Sequence, residues 1–200
     1  MLVKQQKKRG EVLHFFKEYC VSPKHVGALT PSSRELADVI TDASGVAQAD
    51  IVIEFGPGTG VFTEMIQRKI REGTQFFAIE ISEEFVKTVR ERCPGVQVFH
   101  DSATNAVKYL ELLGLPHCDC IISGLPFAIF SDELQDQLLD SAIKALRPGG
   151  VFVTFTYFQS QYLPAGRKLK QKLEKRFSKV ERTRTVWKNI FPAFAYRAVK

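Results

Sequence analysis

Apolar positions recur along the chain with spacings that predict its elements. Val12, Leu13, Phe15, Phe16 and Tyr19 form the apolar side of a short helix expected over residues 11–19. Pro31-Ser32-Ser33 supplies turn and capping chemistry, so a second helix is expected to open there and run to about residue 43. Glu35 stands where it would complete a capping box with Ser32. The continuous run Ile51-Val52-Ile53 reads as a buried strand, followed by a glycine-rich loop and a helix over about 60–72. Strands at 76–80, 96–100, 119–123 and 151–157 then alternate with helices at 83–93, 103–113 and 132–146. Arg147-Pro148-Gly149-Gly150 closes the last of these helices. Such alternation implies an α/β fold, a mostly parallel sheet with helices on both faces. A further helix over 165–177 places Leu169, Leu173 and Phe177 on one stripe. Two strands near 180–186 and 195–199 lie too close in sequence for a helical crossover, and are expected to form an antiparallel hairpin at the sheet edge. Residues 31–200 read as one domain, and 1–30 as a basic amphipathic appendage.

Composition changes this picture little, but charge changes it more. With 44% hydrophobic and 25% charged residues the chain is an ordinary globular sequence. No apolar run approaches the ~20 residues of a membrane-spanning helix. The basic N-terminus lacks the apolar core and cleavage site of a secretory signal, so a cytoplasmic protein is expected, peripheral at most on the inner face of the membrane. Cys20, Cys93, Cys118 and Cys120 form no CxxC pattern and read as buried reduced thiols rather than metal ligands. The net charge of +6 is unevenly spread: residues 1–34 carry +5, 35–160 carry −9 and 161–200 carry +10. Two basic ends around an acidic centre would attract a polyanionic partner if they converge in space.

The candidate chemistry begins at Glu54-Phe55-Gly56-Pro57-Gly58-Thr59-Gly60. A strand turning sharply into a helix, with its backbone against a ligand, has no room for side chains at such positions. Glycine loops of this kind also occur in dinucleotide sites. The surrounding acids separate the two cases. Glu80 ends the second strand, where a carboxylate accepts from both hydroxyls of a ribose, and Asp101 ends the third, placed to accept from an adenine amino group. Together with Glu54 they favour a cationic ligand without phosphate.

These positions resemble the successive motifs of class I S-adenosylmethionine-dependent methyltransferases. That resemblance implies a Rossmann-like seven-stranded sheet with an antiparallel C-terminal hairpin. It also implies S-adenosylmethionine as cofactor, with Ser32, Ser33, Glu54, Gly56, Gly58, Thr59, Gly60, Glu80, Ile81, Asp101, Ser102 and Ser123 as the binding residues. Ser32 and Ser33 precede a helix whose N-terminal amides favour an anion such as the methionine carboxylate.

The fourth strand ends in Ser123-Gly124-Leu125-Pro126-Phe127. Ribosomal RNA adenine dimethylases carry an Asn-Leu-Pro-Tyr or Asn-Ile-Pro-Tyr type sequence there, and a serine hydroxyl cannot reproduce the amide's paired donor and acceptor. The bacterial phospholipid N-methyltransferases are a closer match. Gly27-Ala28-Leu29-Thr30-Pro31-Ser32-Ser33, the glycine loop through Thr63, Ser123 to Pro126, Phe155-Thr156-Tyr157 and Val186 to Ala193 all resemble that family. The resemblance implies methylation of the amine of phosphatidylethanolamine or its partly methylated forms. Ser123, Gly124, Leu125, Pro126 and Tyr157 are the catalytic candidates, with Tyr19 and His25 as further proton acceptors. An anionic membrane surface and a phospholipid are the expected partners: Lys4, Lys7, Lys8, Arg9 and Lys17 flank the apolar set of the first helix, the composition of a helix lying on a bilayer. The basic helix at 165–177 suits the same surface or RNA phosphates equally. An RNA adenine N6-methyltransferase, and a small-molecule methyltransferase or inactive cofactor-binding protein, are the alternatives.

Overall fold

A computed structural model describes residues 32–200. The expected helix over 11–19, with Tyr19, His25 and the stretch 27–31, lies outside the described residues.

The first described helix, α1 (Arg34–Ser44), is capped by Ser33, whose hydroxyl accepts the Leu36 N–H at 3.2 Å. This corrects the expected capping box by one residue. Ser32 is not the cap, and Glu35 instead pairs with Arg184 at 2.8 Å. The chain then alternates β1 (Ile51–Phe55), α2 (Val61–Lys69), β2 (Gln75–Glu80), α3 (Glu83–Arg92), β3 (Gln97–His100) and α4 (Ala106–Leu112). It continues through β4 (Cys118–Ser123), α5 (Asp132–Ala145), β5 (Leu146–Tyr157), α6 (Pro164–Arg176), β6 (Lys179–Arg182) and β7 (Ala193–Val199).

All seven strands join one sheet in the order β3-β2-β1-β4-β5-β7-β6. The first five are mutually parallel, whereas β7 runs antiparallel to both β5 and β6. The hairpin is therefore present, with its second strand tucked inside and its first on the edge. Helices α1 and α2 cover one face, where Leu36, Ile40, Phe62 and Ile66 pack on Val52, Ile122, Val153 and Ala195. Val86 and Val89 of α3 extend that layer over Ala78 and Val98. On the opposite face Tyr109 of α4 stacks on Phe99, and Phe152 lies between Phe127 and Phe177. Strands buried from both sides read as unbroken apolar runs, which is why β1 was visible without alternation. Cys93, Cys118 and Cys120 are buried and unpaired. Among the described residues no helix is long and apolar enough to cross a membrane.

Candidate active site

Parallel strands β1, β2, β3 and β4 end on one edge of the sheet, and the loops that follow hang from their neighbours by backbone hydrogen bonds. Gly56 N–H donates to Ile79 O at 2.9 Å, Asp101 N–H to Glu80 O at 3.0 Å, and Gly124 N–H to Phe55 O at 2.8 Å. The ladder thus runs one residue past each strand and fixes the loops at a common height. This is the crevice at the carboxyl ends of strands where open α/β sheets bind ligands.

Gly56, Gly58 and Gly60 all hold positive φ, at 65°, 54° and 81°. Two contacts show why bulk is excluded. A Cβ on Gly56 would meet Leu125 Cδ2 at 2.3 Å, and one on Gly124 would meet Gly56 O at 2.5 Å. The Ser-Gly-Leu-Pro turn is therefore wedged against the glycine loop, so two motifs some 65 residues apart shape one wall. A Cβ on Gly58 would meet nothing within 4 Å, so the loop presents its backbone to open space there.

Glu80 is buried, and burial pushes its pKa up against backbone N–H donors that pull it down. Its two oxygens accept Ser82 N–H at 2.9 Å and Gly58 N–H at 3.1 Å. It consequently staples the glycine loop to the end of β2, with the Ile81 backbone as a further donor, and a carboxylate's roughly four acceptor positions are not all taken. Glu54 is fully buried. One oxygen accepts the Thr63 hydroxyl at 2.7 Å, and the other has no hydrogen-bond partner. Burial raises its pKa to about 8, opposed by the Thr63 hydrogen bond and reinforced by the neighbouring Glu80.

Asp101 is braced by Ser102 N–H at 2.8 Å, Asn105 Nδ2 at 3.0 Å, Lys108 Nζ at 3.1 Å and the Tyr109 hydroxyl at 2.8 Å. Ile81 O lies 3.0 Å from a ring nitrogen of His100. Thr59 O accepts from Arg92 Nη1 at 3.0 Å, and Arg92 is held in turn by Glu64. Arg92 thus braces the glycine loop from the last turn of α3, a role that only the fold reveals.

The catalytic candidates separate. Ser123 is fully buried and its hydroxyl accepts Leu125 N–H at 3.3 Å, closing the turn. Leu125 O accepts Phe127 N–H at 3.0 Å. Ser123 is registered with Thr154, so Tyr157, three residues further on, points to the opposite face. There its ring packs against Phe155 and Phe191, and burial raises the pKa of its hydroxyl. At the other end of the crevice, Ser33 N–H donates to Asn189 Oδ1 at 2.8 Å. Ser33 and the stretch that holds Asn189 are thereby tied together.

A methyltransferase-domain family matches residues 52–150, from β1 to the start of β5. Over 134 residues the chain is 28% identical to an ornithine lipid N-methyltransferase from Singulisphaera acidiphila, covering 66% of this chain and 70% of that one. It is 29% identical over 135 residues to ribosomal RNA small subunit methyltransferase A from Thermotoga petrophila, covering 65% of this chain and 48% of the other. The N-methyltransferase NodS from Bradyrhizobium japonicum WM9, solved in complex with S-adenosyl-L-homocysteine, shares its fold with a TM-score of 0.65 at 15% identity, covering 84% and 86% of the two chains. The chain is a class I S-adenosylmethionine-dependent methyltransferase.

The residues of this methyltransferase fit its cofactor. S-adenosylmethionine supplies a methyl group on a sulfonium, carries an ammonium and has no phosphate. The unpartnered, buried Oε1 of Glu54 and the spare lone pairs of Glu80 match a cationic, hydroxyl-bearing ligand. The glycine loop offers bare backbone beside them. Most of what such a site contributes is alignment of donor and acceptor, which a crevice pinned on four strand ends provides.

Proposed function

We propose that this methyltransferase acts on the amine of a lipid headgroup, phosphatidylethanolamine or its partly methylated forms foremost. The observation that carries the reading is the Ser123 turn. Its hydroxyl accepts Leu125 N–H inside the protein, and a serine at this place offers no side-chain amide, with its paired donor and acceptor, to the edge of a nucleobase. A relative 28% identical over 66% of this chain is named an ornithine lipid N-methyltransferase, which supports a lipid amine as acceptor.

In this reading Glu80 takes the ribose hydroxyls, and Asp101 takes the adenine amino group in exchange for the exposed ammonium of Lys108. Ser33, already capping α1 through its oxygen, donates its hydroxyl proton to the methionine carboxylate. An amine attacks only when unprotonated. The Gly124 carbonyl, at the mouth of the turn, orients its N–H bonds. Leu125 and Pro126 form the wall beside them, and Tyr157 lines the approach from the other face.

RNA adenine N6-methylation is the second reading, supported by the ribosomal RNA methyltransferases among the relatives. Radiolabelled methyl donor supplied with separate lipid, RNA and small-molecule fractions separates the two. Label in the lipid fraction is expected, and label confined to RNA overturns the first reading in favour of the second.

A further inference from the structure

Large apolar side chains left in water usually occur singly. Here they gather. Among the described residues the exposed ones are Leu112 and, in one place, Tyr162 (63% exposed), Leu163 (55%), Trp187 (66%), Ile190 (65%) and Phe191 (38%). Two segments, 158–163 after β5 and 187–191 before β7, present these five. Phe158 joins them: its N–H donates to Pro192 O at 2.7 Å, and its ring meets Trp187 at 5.2 Å and Tyr162 at 5.9 Å. Arg182 lies over the Phe158 ring at 5.6 Å and donates to Gln161 Oε1 at 2.7 Å. Behind them Gly166 is pressed against Ser160, where a Cβ would overlap the carbonyl oxygen. The patch is therefore built, not a frayed loop.

Its charge is one-sided. Residues 158–170 and 182–192 hold Arg167, Lys168, Lys170, Arg182, Arg184 and Lys188, and neither segment has an Asp or Glu. Carboxylates reach it only from elsewhere: Glu35 on Arg184, Asp132 on Lys168 and Glu174 on Lys170. Arg167 and Lys188 make no ion pair among the described residues. Because β5 runs parallel to β4, the patch opens on the same sheet edge as Ser123–Pro126.

Resting on the lipid reading above, we propose that this patch is the surface by which the enzyme docks on an anionic bilayer. Trp187 and Tyr162 sit at headgroup level, Leu163 and Ile190 enter the acyl boundary, and Arg167 and Lys188, which no carboxylate of the described residues pairs, face lipid phosphates. Base stacking would use the aromatics but would leave Leu163 and Ile190 in water, which is why a bilayer is favoured over RNA. Docked this way, the crevice meets a headgroup amine at the surface, and the lipid keeps its chains in the membrane.

Trp187 is the only tryptophan in the chain, so its emission reports on this patch alone. The full chain is titrated with vesicles of phosphatidylcholine, with and without phosphatidylglycerol. The expected result is a blue shift that grows with phosphatidylglycerol, and quenching by acyl-brominated lipid. Ile190→Glu, which keeps the reporter, should weaken vesicle binding about tenfold or more. It should leave binding of S-adenosylhomocysteine and methylation of monomeric short-chain phosphatidylethanolamine unchanged.

Emission that stays water-like on saturating vesicles overturns the proposal. So does emission already blue-shifted in dilute, lipid-free chain, which would mean that another segment covers the patch. A blue shift that appears only at high protein concentration assigns it to a second copy, and quenching by RNA but not by vesicles assigns it to nucleic acid. Lipid methylation with Trp187 left in water would sink the patch and keep the lipid acceptor. Trp187 burial with no label in lipid would do the reverse.

Discussion

Glu54 couples the site to pH. In the folded chain its carboxyl titrates near 8, against an ordinary value of 4.5, because burial penalises the charge. Between those values the folded form holds a proton that the unfolded chain has released, so stability falls as pH rises through that window. The effect is on the order of a few kcal/mol across the window. Glu54→Gln keeps an acceptor for Thr63 and should flatten the decline; thermal unfolding from pH 5 to pH 9 measures it, and an unchanged slope would remove Glu54 as its source. A bound cation favours the ionised carboxylate, so affinity for the donor should rise toward pH 8, with protons released on binding. Gly124→Ala tests the wedge. Its new Cβ would press on Gly56 O, a backbone atom that cannot rotate away. S-adenosylhomocysteine binding by calorimetry should weaken at least tenfold, roughly 1.4 kcal/mol, while Gly58→Ala, with φ +54 but open space, should lose less.

At the scale of elements, the basic helix turns out to be largely neutralised within the fold. Asp132, Asp136 and Asp140 on α5 face Lys168, Lys172 and Arg176 on α6, in step at i, i+4 on both helices. Lys172 is the buried rung, bonded to Asp136 at 3.0 Å and to Asp132 O at 2.9 Å. Lys172→Ala should cost about 2 kcal/mol, through lost packing of its stem and the lost hydrogen bond. Urea unfolding should show that loss, whereas Lys168→Ala, at an exposed rung, should sit within error of the parent. The charge excess was legible in the sequence. Its internal partners were not, because complementarity between two helices depends on their relative placement and not on either helix alone. The shifted cap at Ser33 has a similar origin. Ser32 and Ser33 are both good caps, and the Asn189 side chain, 156 residues away, holds the amide of the second.

For the whole molecule, the C-terminal hairpin is a structural member of the sheet. Phe194, Ala195 and Ala198 of β7 are fully buried between β5 and β6, and Lys200 donates to Ile143 O and Leu146 O at the end of α5. Removing residues 178–200 should therefore leave one side of β5 an open, apolar edge, with only β4 still paired to it, and abolish cooperative unfolding; a sharp melting transition in the shortened chain would refute this. The succession of strands and helices and the glycine loop could be read from sequence, because periodicity, turn residues and strand-end acids are local signals; the order of the strands across the sheet came only from the fold. The same local chemistry marked Glu54, Glu80 and Asp101 before any fold was known. Sequence alone thus determined an α/β sheet and pointed to a cationic, phosphate-free cofactor. Only the tertiary structure decided that Leu125 closes on Gly56, that Arg92 braces the loop, that Tyr157 faces away from Ser123, and that Trp187 and Ile190 share one surface with Tyr162. Each of those is a contact between distant segments, and no spacing along a chain encodes the packing that brings them together.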